Sequence, residues 1–444
     1  MKNYNIFLKR GKIKMTWRND GNLSQHGILI TSDTKKIPLG KTNNDYFIFK
    51  IPLNKLKYNS SNGRIFMEMA KLKTNGDIDI KSLEENNPSQ FNDEIEKLIW
   101  ETSIEKNNIT LKDIERNTQL ESGVVLDDGT VIDGNRRFTC LRRLNKEFPD
   151  NIEYKYFKAA IIFRDGVNIL PKDIKRYELK VQFGRDEKVD YKAVNFAMSI
   201  YQEVLNKTFT IQEIAENVNK KTSEIVKIVQ TSELVDEFLS YTGRQKQYYV
   251  AEELNIYWPL EPLASYLFGA EGSKLTEIEL KKRKFLYFDF LVSIDAALPT
   301  QEFRDNLIKK IFKDTVLCEE LITEYHDNEG EQINKKLIKN KQNPEDFVKT
   351  VRQFRKNDET AASLLKRYKN KIDKKNLQNQ VNAPVELCQE ILDRLAQINI
   401  KPFLSATSKQ ADQKLKEILV KLTNSKELIE QINEEINKKL TFND

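Results

Sequence analysis

Few side chains in this chain are equipped for chemistry. Only two histidines occur, His26 and His326, and three cysteines, Cys140, Cys318 and Cys388, lie far apart. Histidine-based metal or triad chemistry therefore has almost nothing to work with, and a Cys-rich zinc site cannot form. The chemistry that remains belongs to arginine and carboxylate, and it concentrates at Asp133-Gly134-Asn135-Arg136-Arg137. A glycine turn that feeds a helix gathers free backbone N–H groups and the positive end of the helix dipole at one point. Arg136 and Arg137 in the first turn are expected to bring two guanidinium groups to an anion bound there. Two readings stand: a phosphate-binding turn, or an ordinary strand–helix junction with solvated arginines. Asp127, Asp128 and Asp133 are the only close carboxylates for a base or metal ligand. Asp133, beside the glycine, is the candidate catalytic residue, and turn chemistry is its alternative, because Asp-Gly suits a tight turn.

The elements that must position these residues are visible around them. Val131-Ile132 reads as the end of a strand, and Phe138, Leu141 and Leu144 recur at helical spacing. Gly123–Leu126 and Thr130–Ile132 read as a hairpin through Asp127-Asp128-Gly129. Strands are expected at Tyr46–Pro52 and Phe157–Phe163, and helices at Phe91–Glu101 and Thr110–Arg116, with Thr110 as the cap of the second. Residues 46–165 thus read as a small α+β domain. Before it, residues 1–45 read as a β-rich element, with Lys12–Trp17 and Gly27–Thr31 on either side of an Asp20-Gly21 turn.

After Pro171 the pattern turns helical. Asp190–Leu205 is amphipathic, with Val194, Ala197, Ile200, Tyr201 and Val204 on one face. Thr210–Val218 is a short helix with a Thr cap and Glu213 in the capping-box position. A polar link, Asn219–Thr222, leads to a second helix at Ser223–Gln230. Cap, Ala215 at the crossing point and the second-helix pattern together make a helix-turn-helix signature, against a plain helical hairpin. Residues 166–240 form this unit and 241–375 a further helical one, with breaks expected at Pro259, Pro262 and Pro299. Lys366–Lys375 is a basic run and Gln378–Asn382 reads as a linker. In residues 376–444, Leu415, Leu422, Ile429 and Ile436 recur every seven positions, with Ile418 and Ile432 beside them. That pattern suits a helical hairpin or a dimer contact, and equally an amphipathic helix packed on its own chain.

Composition bounds the setting. The 444 residues exceed one core, and 73 Lys and Arg against 67 Asp and Glu leave a net charge of +6. A nucleic-acid footprint would be a local patch rather than a global field. No apolar run is long enough to span a bilayer, and the N-terminus lacks the apolar core of a signal peptide. The expectation is a reduced, cytoplasmic, nucleoid-associated protein with no membrane partner.

The order of these parts resembles the ParB-like proteins: a ParB/sulfiredoxin superfamily domain followed by a helix-turn-helix. Ile51–Asn59 with Arg64 is similar to that family's opening strand and its proline- and arginine-containing segment. Thr118–Val125, with Glu121 and Ser122, sits where the family has its first nucleotide-contacting loop. Gly134-Asn135-Arg136-Arg137 resembles the Gly-Glu-Arg-Arg phosphate motif, and Val181-Gln182-Phe183-Gly184-Arg185 the Glu-Asn-x-x-Arg motif. The resemblance covers roughly residues 46–240. It implies a nucleoside triphosphate, CTP with Mg²⁺, held by Gly134, Asn135, Arg136 and Arg137, with Glu121, Ser122, Gln182 and Arg185 around it. It also implies a homodimer that closes on double-stranded DNA, contacted by Lys220, Lys221, Thr222, Ser223 and Lys227. Asn135 and Val181-Gln182 stand where the family has carboxylates for Mg²⁺, a hard cation that prefers carboxylate oxygen. Glu121 replaces a neutral residue. The functions that follow are a DNA clamp, partition-like, regulatory or defence factor. Alternatives are an enzyme on the same scaffold (an NTPase, a nucleotide-dependent kinase or a nuclease) and a scaffold with a degenerate pocket that recruits protein partners through its helical C-terminal half.

Overall fold

The computed structural model describes residues 17, 23–39, 42–60, 63–75, 80–164, 169–183, 193–294, 300–338, 344–401 and 409–441. The strand expected before Trp17, the Asp20-Gly21 turn, Pro299 and Arg185 lie outside these residues, as does the side chain of Gln182.

The architecture is α+β: a six-stranded mixed sheet near the N-terminus and a mostly helical remainder. The strands are β1 (Leu29–Leu39), β2 (Thr42–Pro52), β3 (Lys57–Tyr58), β4 (Gly123–Leu126), β5 (Thr130–Asp133) and β6 (Tyr156–Ile162), in the order β1-β2-β6-β4-β5-β3. β4 pairs with β6 and β3 with β5 in parallel, and the other neighbours are antiparallel. β1, within the stretch read as an N-terminal β element, pairs along β2 and so belongs to this same sheet.

Side chains of the central strands alternate between two cores, as the pleat requires. Val125, Val131, Phe157, Ala159 and Ile161 enter one buried cluster, and Val124, Leu126, Ile132, Ala160 and Ile162 the other. Five helices cover the first face: α1 (Phe66–Asn75), α2 (Ile80–Asn86), α3 (Pro88–Thr102), α4 (Ile104–Asn117) and α5 (Asn135–Glu147). Phe91, Ile95 and Ile99 of α3, Ile114 of α4, and Phe138, Leu141 and Leu144 of α5 fill that core. The expected start of a helix at Thr110 is not found. Thr110 lies in mid-α4 and its hydroxyl donates to the Lys106 carbonyl at 3.0 Å, a back-bond that lets Thr sit inside a helix.

The second face is covered by α6 (Pro171–Phe183), whose Ile174, Tyr177 and Val181 pack on the sheet. Its Leu179 joins a different cluster, with Ile200 of α7 (Ala193–Leu205), Ile214 and Ala215 of α8 (Ile211–Asn217), and Ile225 of α9 (Thr222–Tyr241). α6 is therefore the shared wall between the sheet and the α8–α9 pair. Polar contacts reinforce it: buried Glu178 accepts from Asn59 Nδ2 at 2.7 Å, and Lys172 lies 2.7 Å from Glu213 of α8.

The helical remainder continues with α10 (Tyr248–Glu253), α11 (Tyr257–Leu267), α12 (Glu277–Ser293), α13 (Thr300–Glu302) running into a π-helical stretch at Phe303–Phe312, α14 (Thr315–Asn328), α15 (Gly330–Ile333), α16 (Pro344–Asn357), α17 (Glu359–Ala396) and α18 (Lys409–Thr441). The C-terminal half of α9, through Leu234, Val235, Phe238 and Leu239, is buried among these helices. Pro259 and Pro262 do not separate helices; both lie inside α11. Pro259 falls in its first turn, where no intrahelical donor is needed. The stretch Gln378–Asn382, read as a linker, lies inside α17. Residues 1–372 and 373–444 form two compact units. Among the described residues no helix is long and apolar enough to cross a membrane.

Candidate functional site: the Gly134 turn and the α8–α9 helix pair

β5 ends at Asp133, and the chain passes through Gly134 into α5. Gly134 is the N-cap residue at φ 95°, and no side chain caps the helix. A Cβ there would meet Phe157 Cζ at 2.9 Å and the Arg137 guanidinium at 3.2 Å, so the position requires glycine on two counts. Phe138 anchors the first turn of α5 against Tyr58, with ring centroids 4.7 Å apart, and Tyr58 hydrogen-bonds Thr139 at 2.8 Å.

The two arginines do not converge. Adjacent residues on a helix point in different directions, and here each has its own partner. Arg136 turns back and donates from Nε to Asn107 Oδ1 of α4 at 2.9 Å. Asn107, itself buried, is held by bonds from its amide nitrogen to the Ile99 and Trp100 carbonyls. Arg137 turns to the carboxylates: it pairs with Glu121 and lies 3.6 Å from Asp133. Asp133 is buried, and its other oxygen lies 3.3 Å from Lys35 Nζ. Lys35, on β1, also donates to the Ser122 carbonyl. Burial pushes the Lys35 ammonium below its ordinary pKa, and Asp133 opposes that shift. Among the described residues the cluster thus sets two cations, Lys35 and Arg137, against two anions, Asp133 and Glu121.

The loop that carries Glu121 is fixed by its neighbours. Thr118 opens it at φ 59°, an uncommon backbone state for a β-branched residue. Buried Gln119 then donates to the Glu121 and Lys158 carbonyls at 2.9 and 2.8 Å and accepts from the Lys158 amide at 2.7 Å. Glu121 is the solvent-facing member of the cluster, its side chain 66% exposed.

Other expected participants lie elsewhere. Asp127 and Asp128 stand at the hairpin turn, the opposite end of β5 from Asp133, where Arg164 lies 2.5 Å from Asp127 and Lys57 lies 3.8 Å from Asp128. Asn135 is buried and donates to the Val131 carbonyl at 3.3 Å, and among the described residues its amide oxygen has no partner. Cys140 is fully buried, with its thiol pushed up to about 12 by burial, and lies 3.6 Å from the Asn107 carbonyl. Lys35, Asn107 and Gln119 carry no signal in the sequence. Each makes a contact tens of residues away, Lys35 to Asp133, Asn107 to Arg136 and Gln119 to Lys158, which residue type alone does not announce. Among the described residues, no group of three or more His, Cys, Asp or Glu is placed to hold a metal ion.

α8 and α9 are joined through residues 218–221. Thr210 and Glu213 form a reciprocal capping box at the start of α8. Asn219 adopts φ 54°, the left-handed state a tight reversal needs and one that Asn tolerates. Ile214, Ala215, Val218 and Ile225 bury the inner face of the pair. Lys220, Lys221, Thr222, Ser223 and Lys227 are exposed on its outer side. Lys220 lies 3.4 Å from Glu224, both solvent-facing, and Lys227 lies 3.9 Å from the half-buried Glu261.

A scan against models of known protein families and a search of curated proteins both give no match.

Proposed function

We propose that the chain is a ParB-like DNA-binding protein in which α8 and α9 act as a helix-turn-helix on double-stranded DNA. One observation carries the reading. The start of α9 presents Lys220, Lys221, Thr222 and Ser223 to solvent in sequence, while the other face of the same pair is buried and capped. A seven-residue helix followed by a twenty-residue one, packed through Ala215 and Ile225, with cations and hydroxyls at the second N-terminus, fits phosphate contacts and groove entry. Lys227, one turn further on, extends that line. The C-terminal unit supports a homodimeric or partner-bound form of the same protein: Leu377, Val381, Leu422, Ile429, Ile432 and Ile436 are exposed on α17 and α18. The test is fluorescence anisotropy with a labelled duplex of mixed sequence. Thr222→Glu together with Ser223→Glu places two carboxylates against the DNA phosphates. At least a tenfold loss of affinity is expected, and wild-type affinity would refute the reading.

A second reading concerns the Gly134 turn, as a pocket for the polyphosphate of a nucleoside triphosphate, CTP being the one the resemblance implies. The uncapped N-terminus of α5 beside Arg137 and Lys35 supports it. Mg²⁺ fits this site poorly, because the nearby carboxylates, Asp133 and Glu121, are already paired with those cations, and Asn135 offers only an amide oxygen. The enzymatic alternative finds less support for the same reason: an Asp133 carboxylate clamped between Lys35 and Arg137 is poorly placed to take up a proton or a metal.

A further inference from the structure

Glu121 stands out within the charged cluster at the Gly134 turn. Asp133 is buried between Lys35 and Arg137, whereas Glu121 meets Arg137 from the solvent side. Its placement is built rather than incidental. Gln119 ties the Glu121 backbone to β6 through three hydrogen bonds, and Lys35 holds the next carbonyl, that of Ser122. The loop thus delivers one carboxylate onto the guanidinium that an incoming phosphate would use. With Glu121 in place, Lys35 and Arg137 are balanced by Asp133 and Glu121. Without its charge, Lys35 and Arg137 face Asp133 alone among these described partners, beside the N-terminus of α5.

We infer that Glu121 is an internal stand-in for the phosphate group of the ligand, and that it sets the strength of anion binding at the Gly134 turn by competing for Arg137. This rests on the second reading above, that the turn takes a polyphosphate. The physical logic is a difference between the two anions. A guanidinium donates to carboxylate or phosphate oxygens in the same forked geometry. An exposed carboxylate pair contributes little, because water and salt screen it. A polyphosphate brings several charges to the same point and reaches the backbone N–H groups of the helix start as well. A multiply charged ligand therefore displaces Glu121, whereas a singly charged one does not.

The experiment is isothermal titration of the full chain with inorganic tripolyphosphate and, separately, with CTP, at low ionic strength. It compares wild type, Glu121→Gln and Glu121→Gln/Arg137→Gln, with thermal melts confirming that each is folded. Glu121→Gln should bind tripolyphosphate about fivefold more tightly than wild type, the scale of an exposed ion pair. The double variant should lose that gain. Equal affinity of wild type and Glu121→Gln would overturn the role of Glu121 and leave the phosphate pocket standing. A gain that persists in the double variant would also overturn it, because the competition would not be for Arg137. No binding by wild type or by Glu121→Gln at millimolar ligand would remove the pocket itself, and this inference with it. Glu121→Gln is a surface change, so the central comparison survives even if the Arg137 variant fails to fold.

Discussion

The ammonium of Lys35 lies 3.3 Å from Asp133 Oδ2 and also donates to the Ser122 carbonyl. One side chain of β1 thereby fastens the residue that precedes β4 and the residue that ends β5, the paired strand ends beside the Gly134 turn. Replacing it with an apolar chain of similar length leaves the Ser122 carbonyl without this donor and Asp133 with one cation fewer. Lys35→Met is expected to lower stability by about 1–3 kcal/mol. The urea midpoint reads this directly. A midpoint equal to that of wild type would show that the interaction contributes nothing.

Gly134 offers a sharper backbone test. At φ 95° with Phe157 in the way, an added methyl meets both conformational strain and a steric clash. Gly134→Ala should cost about 1–3 kcal/mol and lower the melting temperature measurably. The opposite sign, a rise from the reduced freedom of the unfolded chain, would mean that the turn relaxes to another conformation.

A pH dependence follows from the helical core. Asp289 of α12 is fully buried and accepts hydrogen bonds from Tyr241, the last residue of α9, at 2.8 and 2.9 Å, and from Tyr325 of α14. Burial pushes its carboxyl up to about 7, against the opposing effect of Tyr325 and Tyr241. A folded-state value raised above the ordinary 3.8 means that the native state binds the proton more tightly. The stability so gained is complete below about pH 4 and is lost as pH rises through about 7. The gap corresponds to about 4 kcal/mol over that whole interval. Denaturation of wild type and Asp289→Asn at intervals from pH 5 to 8 should show the wild type losing stability relative to the variant. Parallel curves would exclude Asp289 as the source.

Much of the local structure is legible in the chain without its fold. The β4–β5 hairpin, the Gly134 turn and the apolar face of α5 are contiguous, so their periodicity and turn residues suffice. The α8–α9 pair is legible through Thr210, Glu213, Ala215 and Ile225 for the same reason. The second helix, however, runs on past the expected Gln230 to Tyr241, because Leu234, Val235, Phe238 and Leu239 are buried in the helical core. What is not legible depends on partners remote in sequence. Nothing near Arg136 announces Asn107, and nothing near Asp133 announces Lys35 on β1. The expectation that both arginines face one anion fails because consecutive helical residues diverge and because α4 supplies a partner for one of them. Thr110 and Gln378–Asn382 mislead through residue type: polar residues favoured at caps and linkers lie here inside long helices, where neighbouring turns outweigh single-residue preference.

In the proposed complex the start of α9 meets DNA phosphates through Lys220 and Lys221. Duplex affinity as a function of salt concentration, for wild type and for Lys220→Ala/Lys221→Ala, tests this most directly. Removing one lysine–phosphate pairing should flatten the slope of log affinity against log salt by about 0.9. The double variant should therefore differ from wild type by about 2 in slope and bind more weakly at every salt concentration. Identical slopes and affinities for the two proteins would contradict a DNA-binding role for this helix pair.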